Sequence, residues 1–204
     1  MDSFALHMFT EAVQSEQQTL GMRDRFQKAY RNRFTDGLDE DTKAFIATRT
    51  SFYMASVGET GWPYIQHRGG SSGFLKLLDY ETLGFAGYTG NKQVITKGNL
   101  KGNDRVSLFL MDYPRRARLK MIGHATMIDA SDDPDLAARL AAPGDNPTDH
   151  LTTIHITAYD WNCPKYIVPR YTEAEIEAML GPRLRDLTEE NARLRKALAE
   201  RNTD

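Results

Sequence analysis

The sequence predicts a mainly β protein, an antiparallel barrel with helices before and after it. Two observations carry this reading. Between residues 50 and 160 the chain falls into short runs rich in β-branched and aromatic residues, at 50–57, 63–68, 74–78, 82–86, 105–112, 118–128 and 152–160. Turn residues separate them, as in Gly58-Glu-Thr-Gly61, Gly69-Gly-Ser-Ser-Gly73 and Asp79-Tyr-Glu81. The first four runs follow one another at hairpin spacing, which suits an antiparallel barrel better than alternating βαβ units.

The flanks read as helix. In residues 3–34, Met22, Phe26 and Tyr30 recur every four positions with basic residues between them. This is an amphipathic covering segment with a break near Gly21, followed by a short helix over 41–47. A further helix over 134–140 interrupts the strands, with Asp132 or Asp133 as cap and Pro134 in the first turn; 141–147 is a loop. The tail carries Leu180, Leu184, Leu187, Asn191, Leu194 and Leu198 at alternating steps of four and three, the a/d seam of a coiled coil. Asn191 at an a position favours a parallel pair in fixed register, with Glu190 and Arg195 placed to bridge. The other reading is that the stripe packs on its own barrel. The expected organisation is a helical segment over 1–47, a barrel over 48–172 and a terminal helix over 173–204.

Composition narrows the function. With 40 % hydrophobic and 26 % charged residues, the 204-residue chain is an ordinary globular protein. A net charge of −2 leaves no surplus positive charge for non-specific nucleic-acid binding. No apolar run reaches the length of a membrane span, and the start, Met1-Asp-Ser-Phe-Ala-Leu-His7, lacks the basic and apolar regions of a signal peptide. The single cysteine, Cys163, excludes an internal disulfide framework, so a cytoplasmic protein is expected.

The most informative stretch is Gly87-Tyr-Thr-Gly-Asn-Lys-Gln-Val94, one hairpin after Tyr64-Ile-Gln-His-Arg-Gly-Gly70. Each closes an apolar run with a small, polar and basic cluster. The second cluster reads as the start of a helix from Asn91 to about Leu100. Free N–H groups and the helix dipole favour a phosphate there, with Lys92 adding charge and Gln93 donors. Lys92 is either an ordinary surface cation or a ligand, and the helix dipole, which disfavours an unpaired cation, supports the second. His67 and Arg68 are consecutive on a strand and face opposite sides, so one of them is free to be merely exposed.

Other chemistry is sparse. His7, His67, His124, His150 and His155 show no zinc-ligand spacing, and no metal site is expected. The glycine-rich stretch over 69–73 lacks the Lys-Ser/Thr of a phosphate loop and reads as a hairpin connection lining a pocket. Arg115, Arg116 and Arg118 are a solvated turn or an anion site. Cys163 has no evident activating base and reads as structural.

The order of these features resembles the pyridoxamine 5′-phosphate oxidase-like flavoproteins, the FMN-binding split-barrel group. The resemblance covers about residues 48–172. It is carried by Gly61-Trp-Pro-Tyr-Ile-Gln-His-Arg-Gly-Gly70, Leu83-Gly-Phe-Ala-Gly-Tyr-Thr-Gly-Asn-Lys-Gln93, Asn103-Asp-Arg-Val-Ser-Leu-Phe-Leu110, Arg118-Leu-Lys-Met-Ile-Gly-His-Ala125, Trp161-Asn-Cys-Pro164 and Pro169-Arg170. It implies a split barrel binding FMN across a homodimer interface. Gln66, His67, Arg68 and Gly69 would run beside the ring and ribityl chain, with Ala86 and Gly87 continuing that wall. Asn91, Lys92 and Gln93 match the phosphate-binding position. Arg118 falls where the family turns a polar residue toward the flavin, and Trp161 and Arg170 match residues supplied by the second subunit.

Two departures separate this chain from the true pyridoxamine phosphate oxidases. Their substrate-phosphate lysine aligns with about Ser71, and their C-terminal Arg-Leu-x-Pro signature is replaced by Val168-Pro-Arg-Tyr171. The expected function is an oxidoreductase on a small conjugated molecule, by hydride transfer at flavin N5. The alternative is a non-catalytic flavin, haem or deazaflavin binding or sensing protein. A B6-phosphate binder is weakened by the missing signature.

Overall fold

A computed structural model describes residues 1–31, 34–88, 90, 92–142, 147–161 and 164–201. Four helices come first, α1 (Phe4–Met8), α2 (Glu11–Thr19), α3 (Arg23–Tyr30) and α4 (Glu40–Ala47). Strands β1 (Ser51–Val57), β2 (Pro63–Gly69), β3 (Lys76–Leu77) and β4 (Thr82–Tyr88) lead to α5 (Ile95–Gly102). Then come β5 (Arg105–Asp112), β6 (Ala117–Asp129), a 3₁₀ turn (Ala130–Asp132), α6 (Pro134–Leu140), β7 (Thr148–Trp161) and α7 (Glu173–Arg201).

The described strands form one seven-stranded sheet in the order β2-β1-β5-β6-β7-β4-β3, every pair antiparallel. No ladder joins β2 to β3 among the described residues, so the barrel stays split. Alternate residues supply its core: Phe52 and Met54, Leu83 and Phe85, Leu108 and Leu110, Leu119 and Met121, Ile154 and Ile156. This is the period-two burial that antiparallel strands with one wet face require. The predicted run at 74–78 pairs only at Lys76–Leu77, although Phe74 and Leu75 are still buried in the core. The β6–β7 register shifts between Ile122 and Gly123, where β7 carries the extra residue Thr157. A Cβ on Gly123 would fall 2.2 Å from the His155 carbonyl oxygen, so no side chain fits at this bend.

The expected covering segment over 3–34 breaks twice, at Gly21 and again where Thr10 caps α2. Phe26 and Tyr30 of α3 both meet Phe9 edge-on, at 5.7 and 5.2 Å between ring centres. The Tyr30 hydroxyl then donates to Asp160 at 2.9 Å, tying this segment to β7. Asp39 caps α4, accepting from the Thr42 N–H at 2.7 Å and the Tyr159 hydroxyl at 2.9 Å. These bonds hold its carboxyl below the usual carboxylate range, against the opposing effect of desolvation.

Beyond α4, Arg49 is the main polar anchor of the barrel. It donates to the Phe45 and Met111 carbonyls at 3.1 and 2.7 Å and pairs with Asp112 at 2.7 Å. Both side chains are nearly buried. The residues 1–112 and 117–165 form one compact unit; Tyr113–Arg116 and the chain from Tyr166 onward form a second. In that second unit Thr172 and Glu175 make a reciprocal capping box at the start of α7.

Arg49→Met should be costly, because the nearly buried Asp112 carboxylate would lose its ion pair and the Phe45 and Met111 carbonyls their donor. A loss of about 3–5 kcal/mol is expected in urea unfolding. The double change Arg49→Met/Asp112→Leu should recover much of it.

Candidate functional site

A cleft of about 180 Å³ opens between β2, the β4–α5 connection, the N-terminus of α5 and the ends of β6 and β7. Alternation along β2 decides what enters it. Tyr64, Gln66 and Arg68 line the cleft, while Ile65 and His67 lie on the opposite face. The buried Thr96 of α5 donates to the Gln66 side-chain oxygen at 3.0 Å, joining helix to strand at the cleft wall.

The entry to α5 differs from the expected helix at Asn91. The helix begins at Ile95, and Asn91 itself lies outside the described residues. Lys92 and Val94 occupy the left-handed region, with φ of 56° and 47°. A left-handed residue cannot continue a right-handed helix, and each such non-glycine residue costs roughly 1–2 kcal/mol. Val94 at the cap position offers no side-chain acceptor. The first N–H groups of α5 therefore have no side-chain cap, and Val94 to Lys97 line the cleft. A phosphate-favouring helix start is present, four residues later than the sequence suggests.

Three cations, Arg68, Lys92 and Lys97, and two carboxylates, Asp129 and Asp149, line the cleft. Lys92 is exposed and makes no ion pair among the described residues. Lys97 is paired with Asp129, holding that carboxyl below the usual carboxylate range. The Arg68 guanidinium lies 5.7 Å from the centre of the Phe85 ring, and its buried Nε has no hydrogen-bond partner among the described residues. Burial lowers the Arg68 pKa from its ordinary value, but a guanidinium stays charged. A buried, charged donor without an acceptor is costly unless a ligand supplies one.

His150 forms the floor. It pairs across the ladder with Gly87, and a Cβ on Gly87 would fall 2.0 Å from the His150 Nε2. Gly87 is thus the space that the imidazole occupies. Burial, followed by the charge of Arg68, pushes the His150 pKa below its ordinary value; Asp149, at 3.7 Å from Nδ1, opposes this. This shift favours the neutral ring.

Of the sequence-derived residues, the structure brings Gln66, Arg68, Lys92 and Gln93 into one cleft, with Gly87 beneath its floor. His67 meets the Tyr53 ring on the other face of β2. Gly69 ends β2, and the connection over 69–73 does not line this cleft. Ala86 is buried against Leu140 and Leu151. Arg118 lies on β6 away from the cleft, with its buried Nε lacking a partner among the described residues. Trp161 donates to Thr42 at 3.2 Å and meets Phe45 edge-on at 4.7 Å. Arg170, in the second unit, lies over the Tyr113 ring at 4.8 Å. Cys163 lies outside the described residues. Lys97, Asp129, Asp149 and His150 are cleft residues outside the motifs, and Tyr64 lines the cleft from within one without having been singled out. Only His150 has a readable sign, Gly87, a glycine inside a strand that signals close approach of another group. Among the described residues no cluster of three His, Cys, Asp or Glu could hold a metal ion, and no helix is long and apolar enough to cross a membrane.

Residues 38–160 match the family model described as pyridoxamine 5′-phosphate oxidase. That match spans more than half of the chain, which therefore belongs to this family. No curated protein matches the chain. Similar solved structures include HupZ of Group A Streptococcus, 17 % identical, covering 66 % of this chain and 99 % of that one at a TM-score of 0.49. An FMN-binding protein of Syntrophomonas wolfei is 13 % identical, covering 75 % of this chain and 96 % of that one, with a TM-score of 0.46. An F420 reductase is 19 % identical, covering 60 % of this chain and 98 % of that one, with a TM-score of 0.43.

Gly87→Ala should displace the His150 ring and cost about 1–3 kcal/mol by overpacking. In a His150→Ala background the same change should cost at least ~1 kcal/mol less, a coupling read from four urea titrations. The histidine also sets a pH dependence. Its pKa is lower folded than unfolded, so the unfolded chain takes up the proton first as pH falls. Its contribution is complete above the unfolded value of about 6.5 and declines below it. The stability of the wild type relative to His150→Gln should therefore shrink between pH 7 and pH 5.

Proposed function

We propose that this protein is an FMN-binding flavoprotein that works as a homodimer, and an oxidoreductase acting on a small conjugated molecule. The observation that carries the reading is the convergence of Arg68, Lys92, Gln93 and the side-chain-uncapped start of α5 on one cleft. The orphaned Arg68 Nε is a donor awaiting an acceptor. This donor set fits a phosphate, the group by which the family holds FMN.

The remaining residues follow from family membership. Gln66, His67, Gly69, Ala86 and Gly87 would flank the rest of the cofactor, Asn91 would join the phosphate set, and Arg118 would turn toward the ring. Trp161 and Arg170 would come from the second copy. Two features of the chain support a second copy. The cleft of about 180 Å³ is smaller than the roughly 300–1,000 Å³ that encloses a drug-sized ligand. The outer face of β1 and β2 also exposes Tyr53 and Ile65 beside His67, an apolar face of the kind that interfaces cover.

When bound, FMN would supply hydride exchange at N5. The chain's own part is to bind and orient the cofactor and to place positive charge near it. Its cleft also holds His150, whose burial favours the neutral ring, and Asp129, which is paired with Lys97. With Ser71 where the oxidases carry lysine, vitamin B6 phosphates are not the proposed substrates.

The test is a fluorescence titration of the purified, flavin-stripped protein with FMN. Wild type should bind, and Lys92→Ala/Gln93→Ala should bind at least tenfold more weakly, since hydrogen bonds to a charged group are worth about 1.5–3 kcal/mol each. Unchanged affinity would remove the phosphate assignment. Reduction of the bound FMN by NAD(P)H supports an enzyme; binding without turnover supports the sensing alternative.

A further inference from the structure

α7 runs unbroken from Glu173 to Arg201, yet Leu180, Leu184, Leu187, Leu194 and Leu198 are each between 44 and 64 % exposed. In heptad terms Leu180, Leu187 and Leu194 take d, and Leu184, Asn191 and Leu198 take a. Pro182, which removes one helical hydrogen bond, falls at f and faces away from this seam. The outlying apolar residues Ile176 and Met179 fall at g and c, so the stripe proper begins at Leu180. A row this narrow, with charge on the remaining faces, matches a second helix rather than a broad core.

We infer that the α7 helices of two copies of this chain pair in parallel, in register, as a two-stranded coiled coil within the proposed dimer. Asn191 selects this arrangement. In a parallel pair the two Asn191 amides meet and satisfy each other. An antiparallel pairing centred on the seam sets Asn191 opposite Leu187, and packing on an apolar surface likewise strands the amide, at about 1–3 kcal/mol. Charge agrees: Glu190 at g faces Arg195 at the following e of the other copy, twice by symmetry. The seam from 180 to 198 is about three heptads, too short to hold two chains alone. It gains effective concentration from an interface made elsewhere, so this inference rests on the dimer reading.

Disulfide cross-linking of the full-length chain tests it. Leu194→Cys is compared with Lys196→Cys, an f position, in a Cys163→Ser background. The same variants with Cys163 retained are read by peptide mapping. Particle mass is measured by light scattering before oxidation. The expected result is a two-chain particle in which the Leu194→Cys chains cross-link at least tenfold faster than the Lys196→Cys chains. A two-chain particle with equal rates at the two positions overturns the α7 pairing and leaves the dimer standing. Preferred cross-linking of Leu184→Cys to Leu194→Cys in a mixture overturns the parallel register. A four-chain particle overturns the placement within one dimer, and a one-chain particle overturns the dimer reading itself.

Discussion

The alternation of side chains along β2 is the constraint on which the rest of the site depends. Adjacent residues must face opposite sides of the sheet. Tyr64, Gln66 and Arg68 therefore face the cleft, and Ile65 and His67 the outer surface. One strand thus serves a polar cleft and an exposed apolar face together. A slip of one residue against β1 would exchange the two sets, removing Arg68 from the cleft. The register Phe52↔Arg68 and Tyr53↔His67 forbids that slip, because the same pairing buries Phe52 and Met54 in the core.

The cleft concentrates cost. Among the described residues Arg68 keeps a buried donor without an acceptor, His150 is desolvated beside a guanidinium, and Lys92 and Val94 hold left-handed backbone. The barrel has other orphaned groups among the described residues, Arg118 Nε and Thr152 Oγ1, whereas the shell around Arg49 and Asp112 is satisfied. Unsatisfied groups and strained backbone at one place are what a binding site retains and a structural region loses. Bound phosphate would supply the acceptor that Arg68 lacks and neutralise charge beside Lys92. On that account the ligand stabilises the fold by relieving costs built into the empty cleft.

Much of this was legible in the sequence. The strands emerge within a few residues of their turn signals, because alternation and hairpin turns are local properties. β3 is the exception: Phe74 and Leu75 are apolar because they are buried, and burial does not require ladder pairing. The start of α5 was misplaced for a related reason. Asn91, Lys92 and Gln93 carry good helix-start chemistry, but the choice between helix and left-handed backbone at Lys92 and Val94 is made by the surrounding fold. The floor of the cleft was largely hidden, since His150 and Gly87 are far apart in sequence and meet only through the β4–β7 ladder.

The tail shows the opposite case, where sequence pattern and structure agree but neither is complete within one chain. Leucines that recur with coiled-coil spacing remain exposed along α7, and the cleft is smaller than pockets that enclose drug-sized ligands. The outer face of β1 and β2 presents apolar side chains as well. Three separate surfaces thus lack a covering that a single chain would normally provide. A second copy related by a two-fold axis can cover like with like, α7 on α7 and sheet face on sheet face. The cleft differs, since it needs different residues from the other chain rather than the same ones. In the proposed dimer Trp161 and Arg170 would take that role. In such an assembly the interface and the site stand or fall together, so residues that hold the two copies also govern how tightly the cofactor is kept.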